Sequence, residues 1–358
     1  MIFIKIKRIL ARLHKMWMDW KGSSNQIYFE QRLDEYRAIW QAVAKEIGAR
    51  FTVLSDDLWE LDLDGRKTMI HNYQLEFDNP VVLHLAGNKP LVHRLLREKD
   101  IPVPEYIVFH LSELPKAYEF LEHHRSGCVI KPANGYGGKG VTTHVLTRRE
   151  VRKASILASL YSHDLLMEPL IPGESYRILV IGGKMVQAVC RRGTRLKGDG
   201  ISKVSELIEA ENMELRNQGR QILDVDRDCL FTLEYQNLTL DSIPSKDQEL
   251  LIKSVDDLTR KQVEVRTVYN ETVTDLVCDS LKHDAELAAS VINSDFVGVD
   301  VITTNPSIPL KESGGVVNEV NTTPALHHHY DVNREKYPQP AIQAISILLK
   351  KQSFIREL

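Results

Sequence analysis

Hydrophobic and polar positions along the chain switch repeatedly between helical and strand spacing. Residues 26–48 read as a helix, Phe51–Leu54 as a strand, and Asp64-Gly65 as the tip of a hairpin. The apolar run Pro80–Leu85 reads as a buried strand ending at Gly87, so residues 1–86 make a small α/β unit. After Asn88-Lys89-Pro90 comes a helix carrying Leu91, Leu95 and Leu96, stopped by Ile101-Pro102-Val103-Pro104. Tyr106–Phe109 is a strand, and Ser112 is placed to cap a helix to about His124. Cys128-Val129-Ile130 starts a second strand and the β-branched stretch Val141–Leu146 a third. Thr147 and Glu150 have the spacing of a capping box and open a helix to about Tyr161, before a strand at Leu165–Glu168. The order α, β, α, β, β, α, β predicts one compact α+β domain over residues 87–167.

Pro169-Leu170-Ile171-Pro172-Gly173 then reads as a hinge into a third domain, residues 168–358. Ser175–Val180 and Lys184–Cys190 flank Gly182-Gly183 as a β-hairpin. Gly193 to about Lys261 is less regular and includes a helix at Lys203–Asn212. A helix from about Thr274 to Ile292 precedes two strands, Phe296–Ile302 and Val316–Asn321.

Composition changes this picture little. The 358 residues suffice for two or three domains, and 43% apolar with 27% charged residues is ordinary for a globular protein. A net charge of −3 supplies no field that would gather nucleic acid. Cys128, Cys190, Cys229 and Cys278 lie far apart without metal-ligand spacing, which favours buried thiols and a cytoplasmic location over disulfides. No apolar run is long enough to span a bilayer. In residues 1–20, Lys5, Lys7, Arg8, Arg12 and Lys15 alternate with apolar side chains. A helix docked on its own domain with a solvated basic face is the favoured reading, and contact with an anionic membrane surface is the alternative. Oligomeric state is open.

Two stretches carry candidate chemistry. Gly135, Gly137 and Gly140 fit the spacing G-x-G-x-x-G, but Val141-Thr142-Thr143-His144 follows where a dinucleotide site needs a helix. The alternatives are a hairpin whose bare amides fold over phosphates and an ordinary surface hairpin. In Phe296-Val-Gly-Val-Asp300, alternation puts Asp300 on one face with Gly298, and Glu319 and Asn321 likewise share a side. If those strands pair, three oxygen ligands suited to magnesium converge, the alternative being a solvated polar face. Asp224, Asp226 and Asp228 lack the glycine and terminal glutamate of a calcium loop and read as a solvated face.

The ordered set Asn88-Lys89, KPANGYGGKG from Lys131, Glu168-Pro-Leu-Ile-Pro-Gly-Glu174, Tyr176-Arg177, Arg191, Gly298-Val-Asp300 and Asn318-Glu-Val-Asn-Thr-Thr-Pro324 resembles the ATP-grasp ligases. Within them it is similar to the ATP-grasp module of cyanophycin synthetases. The resemblance implies an α+β ATP-grasp fold, two α+β subdomains clamping ATP, preceded by the small α/β N-terminal domain. It implies that Lys89 and Lys131 neutralise phosphates, and that Gly135, Gly137, Gly138 and Gly140 form a loop closing over them. Glu168 and Leu170 would lie at the adenine, and Glu174 at the ribose. Asp300, Glu319 and Asn321 would hold Mg²⁺, with Mn²⁺ able to substitute. Arg191, or else Arg192, would act with Lys131 in catalysis, stabilising charge on an acyl phosphate. The implied activity is ATP-dependent carboxylate–amine ligation on an amino acid or short peptide. A phosphotransferase and a non-catalytic nucleotide-binding partner protein are the alternatives. No Mur-ligase-like stretch follows in these residues, so alternate addition of aspartate and arginine by this chain alone is not expected. After Pro324, where the family usually has an arginine, Ala325-Leu326 leads into His327-His328-His329, which leaves substrate identity open.

Overall fold

The computed structural model describes residues 6–13, 26–135, 140–192, 194–217, 222–223, 225, 227–252, 269–326, 329 and 339–356. The chain divides into two compact units, Met1–Cys190 with Thr272–Leu358, and Arg191–Glu271. The boundaries expected after residues 86 and 167 both fall inside the first unit, one within the helix Pro80–Gly87 and the other within the strand Leu165–Pro169.

The first sheet is a meander of β1 (Arg50–Val53), β2 (Leu58–Leu63), β3 (Arg66–His71) and β4 (Gln74–Leu75). Its central turn needs two left-handed residues, which Asp64 (φ 53°) and Gly65 (φ 80°) provide. All its pairings are antiparallel, so the expected α/β character of residues 1–86 is corrected to α plus meander. Nor does it keep a core to itself. Tyr36 and Trp40 of α2 (Gln26–Ile47) and Trp59, Leu61 and Ile70 of the meander pack with Ala341, Ile345 and Leu348 of the last helix, α11 (Gln339–Arg356). Leu179, Ile181 and Phe296 of the third sheet complete that cluster. The segment 6–13 is helical (α1), and its Arg8 Nη2 donates to the Ser159 carbonyl at 2.9 Å.

The second sheet has the order β5 (Ile107–Phe109), β8 (Leu165–Pro169), β6 (Cys128–Pro132), β7 (Thr142–Val145), antiparallel throughout. One face, with Phe109, Cys128, Ile130, Leu165 and Met167, packs on α5 (Leu114–His123) and α6 (Arg148–Ala158). The capping box that opens α6 is present, Glu150 N donating to Thr147 Oγ1 at 3.2 Å while Glu150 Oε2 accepts from Thr147 N at 3.0 Å. The third sheet includes β9 (Glu174–Ile181), β10 (Lys184–Arg192), β14 (Phe296–Thr303) and β15 (Val316–Thr322); in chain order the strand β13 (Tyr269–Thr272) precedes β14, and the short helix α10 (Leu310–Ser313) follows it. Val297, Val299, Val301, Ile178 and Val180 on one of its faces bury against Leu281, Ala285, Ala288 and Ile292 of α9 (Asp279–Ile292).

The second unit contains a two-stranded ladder, β11 (Arg195–Lys197) with β12 (Glu249–Leu251), and helices α7 (Val204–Asn217) and α8 (Arg227–Tyr235). Leu196, Val204, Ile208, Leu233 and Leu250 give it a core of its own, so the region read as less regular is a folded body. Asp224, Asp226 and the side chain of Asp228 lie outside the described residues.

Three boundaries differ from the sequence reading. Pro80–Gly87 is a helix, α3, because the Asn79 side chain accepts from the amides of Val81 and Val82 and Pro80 occupies the first helical position. Val81 is 77% exposed, unlike a residue of a buried strand. Ser112 is not the cap of α5: the Glu113 carboxylate accepts from the His110 amide at 2.9 Å, tightening Leu111–Glu113 into a 3₁₀ turn first. Thr274–Leu276 is likewise a 3₁₀ turn, and α9 starts only at Asp279, after Cys278 N has bonded to the Pro306 carbonyl.

Candidate active site

The antiparallel register of β6 and β8 pairs Lys131 with Leu166 and Val129 with Glu168. Lys131 and Glu168 are therefore diagonal neighbours on the face turned away from the α5–α6 core. Both side chains are about 3% exposed, and Lys131 Nζ lies 2.8 Å from Glu168 Oε2. Burying an ammonium this deep is costly unless a carboxylate pairs with it.

Lys89 arrives from α4 (Lys89–Arg97), which begins where Asn88 caps it by accepting from Leu91 N at 3.2 Å. Asn88 also bridges to Asn134, and Lys89 N donates to the Ala133 carbonyl at 3.2 Å. The helix start is thereby tied to the base of the glycine loop, where Lys89 Nζ donates to the Gly135 carbonyl at 2.7 Å. Gly137 and Gly138, at the tip, lie outside the described residues.

Strands β14 and β15 pair as expected, with Asp300 opposite Glu319 and Gly298 opposite Asn321. The register then jumps to Val301 opposite Val317, leaving Asn318 as the extra residue of a β-bulge. Both Asn318 and Glu319 consequently reach the lysines. Glu319 Oε1 is 3.8 Å from Lys89 Nζ and 4.0 Å from Lys131 Nζ, while Asn318 Oδ1 accepts from Lys131 Nζ at 3.5 Å. Asp300 takes a two-pronged contact from Arg177, its cross-strand partner on β9, with Nη2 to Oδ2 at 2.9 Å. Asn321 Nδ2 donates to the same Oδ2 at 3.1 Å. Gly298 makes room for that arginine, since a Cβ there would meet Arg177 Cδ at 2.8 Å.

His93 is 1% exposed behind this group. Its Nε2–H donates to the Asn318 carbonyl at 2.9 Å, which fixes the tautomer of the neutral ring. Nδ1 then faces Glu168 Oε1 at 3.5 Å, and neither atom has a hydrogen bond among the described residues. Burial holds the His93 pKa below its ordinary value, against the upward pull of the Glu168 carboxylate.

Of the residues singled out from sequence, Lys89, Lys131, Gly135, Glu168, Asp300, Glu319 and Asn321 come together. Leu170 N donates to the Gly127 carbonyl beyond β8, Glu174 opens β9 opposite Thr303, and Gly140 packs against Pro132 and Tyr161. Arg191 is buried at the end of β10 and belongs to the second unit; the Arg192 side chain is outside the described residues. His329 is buried, and His327 and His328 are not described. The sequence reading gave no role to His93, Arg177 or Asn318. Two signals were available: a histidine on the apolar face of α4 beside Val92 and Leu96, and adjacent polar residues breaking strand alternation at Asn318-Glu319.

No protein-family model matches the chain. It is 30% identical over 253 residues to a cyanophycin synthetase of Nostoc sp., covering 69% of this chain and 27% of that protein. It is 26% identical over 260 residues to the glutathione biosynthesis bifunctional protein GshAB of Listeria monocytogenes, covering 70% and 32%. A bifunctional glutathione synthetase from Pasteurella multocida superposes with a TM-score of 0.57 at 22% identity, over 87% of this chain and 43% of that one. The chain belongs to the ATP-grasp superfamily. It spans about a quarter to a third of the length of the curated relatives it matches.

What an ATP-grasp chain could hold here follows from its donors. Two ammonium groups converging on one partly exposed carboxylate can receive phosphate oxygens. Asp, Glu and Asn oxygens suit Mg²⁺, and Glu319, with 27% of its side chain exposed, is the most accessible of the three. Glu168 Oε1 is a buried acceptor for which a bound donor would supply the missing hydrogen bond.

Proposed function

We propose that the chain is an ATP-dependent carboxylate–amine ligase acting on an amino acid or short peptide. The observation that carries this reading is Lys89 and Lys131 meeting Glu319 from two different elements, on a strand pair that also presents Asp300 and Asn321. The relatives' names point to amide-forming chemistry. Lys89 and Lys131 bind the phosphates, and their fixed charges serve transfer because negative charge moves among the same oxygens they contact. Asp300, Glu319 and Asn321 would hold Mg²⁺, which when bound neutralises and orients phosphate oxygens; Mn²⁺ has the same ligand preference. Arg177 fixes the Asp300 carboxylate in place, so this ligand does not have to be ordered on binding.

The substrate carboxylate attacks the γ-phosphorus and ADP leaves, giving an acyl phosphate. The amine then attacks the acyl carbon, inorganic phosphate departs, and the nitrogen loses a proton. From the resemblance, Arg191, or else Arg192, is assigned to the negative charge that develops on the acyl oxygen as the amine attacks. Incubation with ATP, Mg²⁺ and a panel of carboxylates in hydroxylamine tests the reading. The expected result is phosphate release that depends on one carboxylate, together with its hydroxamate. A stable phosphoester without hydroxamate would indicate a phosphotransferase, and ATP turnover indifferent to every carboxylate would sink the ligase reading.

A further inference from the structure

Beside the base of the glycine loop, on the opposite end of β8 from Glu168, lies a cluster that the proposed reaction does not use. The ladder between β5 and β8 ends with Phe109 opposite Leu165, so the next residues outward, His110 and Asp164, face each other. His163 precedes Asp164. Nδ1 of His163 lies 2.9 Å from Asp164 Oδ1, and Nδ1 of His110 lies 3.3 Å from the same oxygen. The two imidazole rings are 4.4 Å apart, centre to centre. One ligand atom from each of the three residues falls within 4.8 Å of the others. His110 Nδ1 is buried and has no hydrogen bond among the described residues, although a carboxylate oxygen is beside it.

We propose that His110, His163 and Asp164 form a binding site for a first-row transition-metal dication of the Zn²⁺ class. Two imidazoles and one carboxylate select such an ion over Mg²⁺ or Ca²⁺, which prefer all-oxygen shells. Tetrahedral zinc with ligands at ~2.0–2.1 Å places donor atoms about 3.3 Å apart. His110 Nδ1 already lies at that spacing from Asp164 Oδ1, at 3.3 Å, and His163 Nδ1 is slightly inside it at 2.9 Å. The His163 side chain is 79% exposed, leaving an open position for water as the fourth ligand. Glu113 is the other carboxylate nearby, 3.9 Å from His110 Nε2, but it is engaged by the His110 amide and Lys116. The carbonyl of Asp164 accepts from Ala133 N at 2.9 Å, and the Ala133 carbonyl accepts from Lys89 N. An ion here therefore sits two hydrogen bonds from Lys89.

The test is calorimetric titration of the full chain with ZnCl₂, in excess MgCl₂ so that oxygen-rich sites are filled and without nucleotide. One saturable zinc site is expected in the wild type. His163→Ala, His110→Ala and Asp164→Asn should each weaken it by at least ~10-fold. His163→Ala lies on an exposed turn, and an unchanged circular dichroism spectrum would show that the fold is kept. Absence of a saturable site, or a site that survives both histidine substitutions, overturns the proposal.

Discussion

At the scale of single residues, Asp300 and Glu319 should behave differently although they face each other across one strand pair. Glu319 is partly exposed, so Glu319→Gln should leave stability nearly unchanged while lowering turnover by roughly 10²–10³ and raising the Mg²⁺ needed for half activity. Asp300→Asn strands a buried arginine, and urea unfolding should show a loss of roughly 3–5 kcal/mol. His93 gives a pH signature. Its pKa is depressed in the folded state, so the unfolded chain takes up a proton first as pH falls through 6.5. Native stability should therefore drop below that pH, and His93→Gln should flatten the drop when unfolding is measured at neutral and mildly acidic pH. The lysines and carboxylates were legible because their motif order is distinctive. His93 and Arg177 were not, since their importance comes from what lies opposite them across a sheet.

At the scale of elements, the bulge at Asn318 and the absence of a side chain at Gly298 do the positioning. A Cβ at Gly298 would meet Arg177 Cδ at 2.8 Å and Pro324 Cβ at 3.0 Å. Gly298→Ala should thus cost about 1–3 kcal/mol and reduce activity, because the arginine must leave its carboxylate to make room. Thermal melts and turnover measured on one preparation would check this, and full activity with an unchanged melting point would contradict it. Strand pairing around Asp300 was readable from alternation, yet Pro80–Gly87 was not. A short apolar run has no period to distinguish strand from helix, and the deciding Asn79 cap lies outside it.

At the scale of the whole molecule, the unit Arg191–Glu271 has its own buried cluster, and its sequence gave little warning of it. Its strands are three residues long and about fifty positions apart, so no local pattern announces their pairing. Ile208→Ala should remove roughly 2–5 kcal/mol from that cluster. Hydrogen exchange read by mass spectrometry should then rise over α7, α8 and β12 and leave β9 and β14 protected. Uniform loss of protection along the chain would show instead that the two cores unfold as one.

The packing of α2 and the meander against α11 has a consequence for how the chain comes off the ribosome. Trp40 and Trp59 are made first, and the residues that seal them, Ala341 to Leu348, are translated roughly 300 residues later. At roughly 5–20 residues per second the two tryptophans wait about 15–60 s for their cover. During that interval the nascent chain offers an aromatic surface to whatever chaperone is present, and shortening the chain before Ala341 would leave that surface permanently open.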